Sequence, residues 1–162
     1  MDESEDPHHV AERVLPVWER VVADMEATAE EYREAGWEAL ECHPGDIATI
    51  TEGEGQTGLD VVLPDDEFDR IEAAYDADSH FDEVEAFRAV EQGIVFAVAA
   101  LKNATTETAL LVPIYYDADS SQEFLQMVSE EGELRIHLRP LDQRRILTFT
   151  QHEPAPFLPG GE

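Results

Sequence analysis

Positive charge is what this chain has least of. Ten of its 162 residues are basic, and only one of the ten, Lys102, is a lysine. Against them stand 38 acids, for a formal net charge of −28. Nucleic acid is therefore the partner least expected, because phosphate binding needs an attractive field and weakens steeply with salt. Cysteine is scarcer still: Cys42 stands alone, so no internal disulfide is possible. Long apolar runs are missing too. The longest, residues 94–101, is far below the roughly 20 residues that a spanning helix needs. The opening Met1-Asp2-Glu3-Ser4-Glu5-Asp6 is acidic and polar, the opposite of a secretion signal. The expectation is a cytoplasmic protein with no membrane contact.

What is present is a globular composition. Hydrophobic residues make up 43% of the chain, enough for a core, and the length suits one domain. The acids are interleaved with Val, Leu, Ile and Phe along most of the chain rather than gathered in a tail. Self-repulsion at this charge opposes compactness in dilute buffer. At about 1 M salt the Debye length falls to about 3 Å and the repulsion is screened. With lysine nearly absent and every segment acid-rich, a salt-adapted protein is the economical reading.

The patterning predicts an α+β fold. Asp6 before Pro7 suits a helix start. Val10, Val14, Trp18, Val21, Met25 and Tyr32 then follow at helical spacing, with glutamates on the other face. Pro16 is expected to kink or split this helix, and Gly36 to cap it. Residues 37–43, 47–51 and 59–63 read as strands, and a short helix follows with Phe68, Ile71, Glu72 and Tyr75. Residues 83–90, 94–101 and 108–116 read as three more strands. Ser120 and Glu123 then have capping-box spacing before a second short helix that Gly132 ends. Residues 134–139 and 146–150 complete a last hairpin.

The expected order is therefore a long helix, two βββα units and a final β-hairpin. The expected architecture is one mostly antiparallel sheet with helices packed on it. Residues 1–7 read as a disordered acidic tail, 8–152 as a single domain and 153–162 as an extended Pro/Gly-rich tail. The two units suggest an internal duplication, 37–80 against 81–132. Strands 94–101 and 110–116 are apolar on both faces and need cover on both sides.

Chemistry is sparsely signalled. The six histidines lack the spacing of a zinc site, and no metal or cofactor is expected. Cys42 and His43 are adjacent in a strand, so their side chains point apart, and the cysteine reads as buried and inert. Asp117 and Asp119 follow an apolar strand, but the absence of a later lysine argues against phosphoryl transfer. The densest local feature is basic: Arg135, His137 and Arg139 on one strand face, with Arg144 and Arg145 beside them. Arginine forks match carboxylate and phosphate, so this hairpin is a candidate anion or partner site. The plainer reading, that these arginines pair with neighbouring acids, is preferred. Val14, Trp18, Val21, Met25 and Tyr32 offer a candidate interaction helix, for a partner or a second copy, although packing on the chain's own sheet is preferred.

Several stretches act as a set: residues 24–33, Gly36-Trp37, His43-Pro44-Gly45-Asp46, Gly58-Leu59-Asp60-Val61 with residues 64–68, Tyr115-Tyr116 and Arg139-Pro140-Leu141. Together, over about residues 8–157, they resemble an uncharacterised family of haloarchaeal proteins, a domain of unknown function. The resemblance implies a haloarchaeal cytoplasmic origin and supplies no activity. The function expected is a non-enzymatic interaction or regulatory module. The alternative is a small-ligand binder or hydrolase with a pocket lined by His43, His137 and acids.

Overall fold

The computed structural model describes residues 7–51, 57–75, 83–91, 93–142, 145–152 and 154–158. Three helices and eight strands follow in the expected order: α1 (Pro7–Glu34), β1 (Glu38–Glu41), β2 (Asp46–Ile50), β3 (Gly58–Leu63), α2 (Asp65–Ala74), β4 (Glu83–Glu91), β5 (Ile94–Asn103), β6 (Thr108–Asp117), α3 (Gln122–Glu131), β7 (Leu134–Pro140) and β8 (Leu147–Gln151). The fold is α+β. The single sheet is not what forms. The strands make two four-stranded mixed sheets, β1-β6-β5-β4 and β2-β3-β7-β8.

The difference has a local cause. Leaving β1, the Cys42 N–H still donates to the carbonyl of Leu111 in the first sheet, at 3.0 Å. Three residues later the Gly45 N–H donates to the carbonyl of Val62 in the second, at 2.9 Å. The His43-Pro44-Gly45 turn thus carries the chain from one sheet to the other instead of closing a hairpin. β1 then pairs parallel with β6, and β3 parallel with β7. The two βββα units share an order of elements but not a pairing pattern: β4, β5 and β6 form one antiparallel meander, whereas β1 lies in a different sheet from β2 and β3.

β5 and β6 are buried along almost their whole length. Alternation divides their side chains between two cores. Val95, Ala97, Ala99 and Leu101, with Leu110, Val112, Ile114 and Tyr116, face an inner core shared with the second sheet, with Phe68 and Ile71 of α2 and with Phe124 and Val128 of α3. Ile94, Phe96, Val98 and Ala100, with Ala109 and Leu111, face the other way and meet Val14, Val21, Met25 and Ala29 of α1. The two-sided cover that these strands require comes from within the chain.

α1 runs continuously through Pro16 over 28 residues, so the proline does not split it. Its end is built as expected. Gly36 has φ of 91°, the Trp37 N–H donates to the Tyr32 carbonyl at 2.9 Å and the Gly36 N–H to the Arg33 carbonyl at 3.0 Å, which together form a Schellman cap. The capping box before α3 does not form. Ser121 takes the N-cap position without a side-chain bond, and Asp117 Oδ1 instead accepts the N–H groups of Asp119 and Ser120. At Gly58 a Cβ would lie 2.0 Å from the Arg135 carbonyl oxygen, so glycine lets β3 and β7 pair at that point. Residues 154–158, expected within an extended tail, include a 3-10 turn. Phe157 is buried in the inner core and its carbonyl accepts the Tyr116 hydroxyl at 2.8 Å.

Met25 is fully buried between α1 and the first sheet. Met25→Ala is expected to cost about 2–5 kcal/mol, and Met25→Leu less than about 1.5 kcal/mol, measured by denaturant unfolding at fixed molar salt. A cost for the alanine variant within error of zero would show that α1 does not cover the sheet.

Candidate functional site

The arginines singled out in the sequence are distributed among acids rather than gathered into one anion cradle. Arg135 Nη2 donates to Glu133 at 2.8 Å and Nη1 to Glu131 at 3.3 Å. Arg139 Nε donates to Asp60 Oδ1 at 2.6 Å, across the parallel β3–β7 pair. Arg145 bonds Glu72 and Asp69 of α2, and its guanidinium lies 5.0 Å from the centroid of the Phe68 ring. Arg144 lies outside the described residues. Between the first two arginines His137 does not point to solvent. It is buried, with Nδ1 2.8 Å from Thr148 Oγ1 on β8.

The apolar stripe of α1 is spent on the first sheet. Val14, Val21 and Met25 are buried there. Trp18 packs edge-on against Tyr115 at 5.3 Å between centroids, and Tyr32 packs against Trp37 at 5.6 Å. Lys102 Nζ sits 5.8 Å from the centroid of the Tyr32 ring. What α1 leaves is a groove of about 430 Å³ on its other flank. Val21, Asp24, Ala27, Thr28 and Glu31 form the helix wall, Phe96 and Val98 of β5 the floor, and Arg88 and Ala89 of β4 the opposite side. β4 is an edge strand of the first sheet.

The other concentration of chemistry surrounds His43, at the turn between the sheets. Its backbone N–H donates to Glu67 Oε1 at 2.7 Å, and its ring Nδ1 lies 2.6 Å from Glu67 Oε2. Its Nε2 faces Glu26 Oε2 of α1 at 3.2 Å and Glu41 Oε1 of β1 at 3.9 Å. The other oxygen of Glu41 is held by Arg33 Nη1 at 2.9 Å. Burial alone would lower the His43 pKa. The hydrogen bonds to Glu67 and Glu26, with the charges of the same two carboxylates, outweigh it and raise the pKa above the ordinary histidine value. His43 and His137, expected to line one pocket, are instead bonded to different partners on different elements.

Cys42 takes no part in this cluster. It is completely buried in the inner core, and burial, with the nearby Glu67 charge adding to it, pushes its thiol pKa well above the ordinary value. No thiol–imidazole dyad forms; the strand expected over both residues ends at Glu41, and it is the burial of Cys42 and the turn at His43, not strand alternation, that separate the two groups. The Cys42 thiol is therefore expected to resist alkylation in the folded protein at molar salt and to react fully on unfolding, as read by mass spectrometry after iodoacetamide. Rapid labelling of the folded state would contradict the burial.

The sequence carried no spacing signal for the His43 cluster. Glu26, Glu41, His43 and Glu67 come from α1, β1, the turn after it and α2, and only the packing of α1 and α2 around that turn assembles them.

The fold and these surfaces define an α+β domain of two mixed sheets with one long covering helix. The chain belongs to DUF7529, a family of unknown function whose model matches residues 5–159. No curated protein and no solved structure matches the chain.

Proposed function

We propose that this chain is a non-enzymatic interaction module that works in a salt-rich cytoplasm and associates with a second copy of itself through the face formed by α1 and β4. One observation carries this reading: the groove beside α1 opens next to a sheet edge. Its floor is made by Phe96 and Val98, which are largely covered by α1, and the β4 wall offers exposed Ala89. Edge strands with unpaired backbone groups accept another strand, and a groove beside one extends the contact to side chains. Two identical chains of charge −28 repel one another, so the association depends on screening.

The acid excess supports the salt-adapted setting, and the residue pattern supports a haloarchaeal source. Arg145, with exposed Leu141 and Ile146 near it in sequence, is a secondary surface for a protein partner. Polyanions are disfavoured by the overall field. A second reading, a small-ligand binder, is favoured by the His43 cluster rather than by any shared pocket of two histidines.

Light scattering from dilute to several-molar KCl tests the module. The expected result is a mass of twice the 18.2 kDa chain at high salt, reduced to the single-chain mass by Ala89→Arg while the chain stays folded, with its unfolding midpoint lowered only by the loss of association. At low salt the folded state is expected to be lost. A single-chain mass at every salt and protein concentration would overturn the self-association. An unchanged cooperative transition in salt-free buffer would overturn the salt adaptation.

A further inference from the structure

We propose that Glu26, Glu41 and His43 form a binding site for one divalent transition cation of the zinc class, which ties α1 to the edge of the first sheet. The proposal is independent of the self-association argued above. Among the described residues, the ligand atoms of these three side chains all lie within 4.8 Å of one another.

The distances suit a cation. Zinc binds nitrogen and oxygen at about 2.0–2.2 Å in tetrahedral geometry, which puts neighbouring ligand atoms about 3.4 Å apart. His43 Nε2 stands 3.2 Å from Glu26 and 3.9 Å from Glu41, on either side of that value. The three ligand atoms lie within 4.8 Å of one another, so an ion seated between them must draw the side chains closer. Glu26 is half exposed and on a helix surface, so it is free to move.

The imidazole is oriented as a ligand. Glu67 grips His43 twice, at the backbone N–H and at Nδ1. In the neutral ring, a carboxylate on Nδ1 favours the proton there and turns the Nε2 lone pair toward Glu26 and Glu41, the arrangement by which a further carboxylate positions a metal-binding histidine. The division of labour among the carboxylates agrees with this. Glu67, which braces the ring, has a side chain only 12% exposed, whereas Glu26, which faces Nε2, is 50% exposed. Glu41 is divided in the same way: Arg33 occupies one oxygen, and the other is turned toward Nε2.

The donor set selects the ion. Two carboxylates and an imidazole suit a borderline cation better than calcium, which takes six to eight oxygens, or magnesium, which keeps most of its waters. Three protein ligands leave a position for water. Without a cation, the His43 ring lies between Glu67 and Glu26 as an ordinary hydrogen-bonded pair of contacts, and the experiment separates that arrangement from a metal site.

Isothermal titration of the full chain with ZnCl₂ in molar KCl, where diffuse attraction to a −28 surface is screened, is expected to show one saturable equivalent. MgCl₂ is expected to show none. Zinc should raise the thermal midpoint of the wild-type protein, and Co²⁺ in its place should give the visible absorption of a tetrahedral site. His43→Ala and Glu26→Gln should each weaken zinc binding at least tenfold and abolish the Co²⁺ bands. Glu67→Gln, a positioning change, should weaken it about 10–100-fold while leaving one equivalent. Glu26→Gln on the exposed helix surface keeps the test open if His43→Ala does not fold. Absence of saturable zinc binding overturns the proposal. Binding that is unchanged in both His43→Ala and Glu26→Gln overturns it as well, since it would reflect the acidic surface alone.

Discussion

Two strands that are apolar on both faces impose the architecture. β5 and β6 cannot leave either side to water, because each exposed face would forfeit the burial of Ile94, Phe96 and Val98 or of Val95, Ala97 and Leu101. One face is met by α1 and the other by the second sheet with α2 and α3. Every other feature of the fold serves that cover. The turn at His43 crosses the chain from sheet to sheet. Gly58 allows β3 and β7 to close up. The turn at Phe157 fills the inner core at its end and is fastened by the Tyr116 hydroxyl.

Charge acts on a second scale. With nearly four acids to each base, an arginine on this surface readily meets a carboxylate, and Arg135, Arg139 and Arg145 have each found one or two. Among the described residues, clustering of arginine in the sequence therefore does not produce a free basic patch. It produces a row of separate pairs, which anchor β7 to β3 and hold the segment leading into β8 against α2. The same scarcity explains why His43, ringed by Glu26, Glu41 and Glu67, stands out. There one imidazole meets the carboxylates of Glu67 and Glu26, with Glu41 paired to Arg33 beside them.

The His43 cluster arises as a by-product of the core. α1 is placed by its apolar stripe on the first sheet, and α2 is placed by Phe68 and Ile71 in the inner core. Glu26 follows Met25 directly on α1, and Glu67 directly precedes Phe68 on α2. Packing the apolar neighbours thus delivers both carboxylates to the turn that bears His43. The groove beside α1 has the same origin. Because α1 covers part of the first sheet, a groove remains between it and β4.

The order of elements, the amphipathic face of α1, the Gly36 and Gly132 helix ends and the burial of Cys42 were all legible in the sequence, because each depends on residues a few positions apart. The two-sided apolar strands also announced that they needed cover. The division into two sheets, the parallel pairs β1–β6 and β3–β7, the continuity of α1 through Pro16 and the meeting of Glu26, Glu41, His43 and Glu67 were not legible. Those depend on contacts between residues far apart in the chain, where periodicity carries no information and global packing chooses among partners that local pattern makes equivalent.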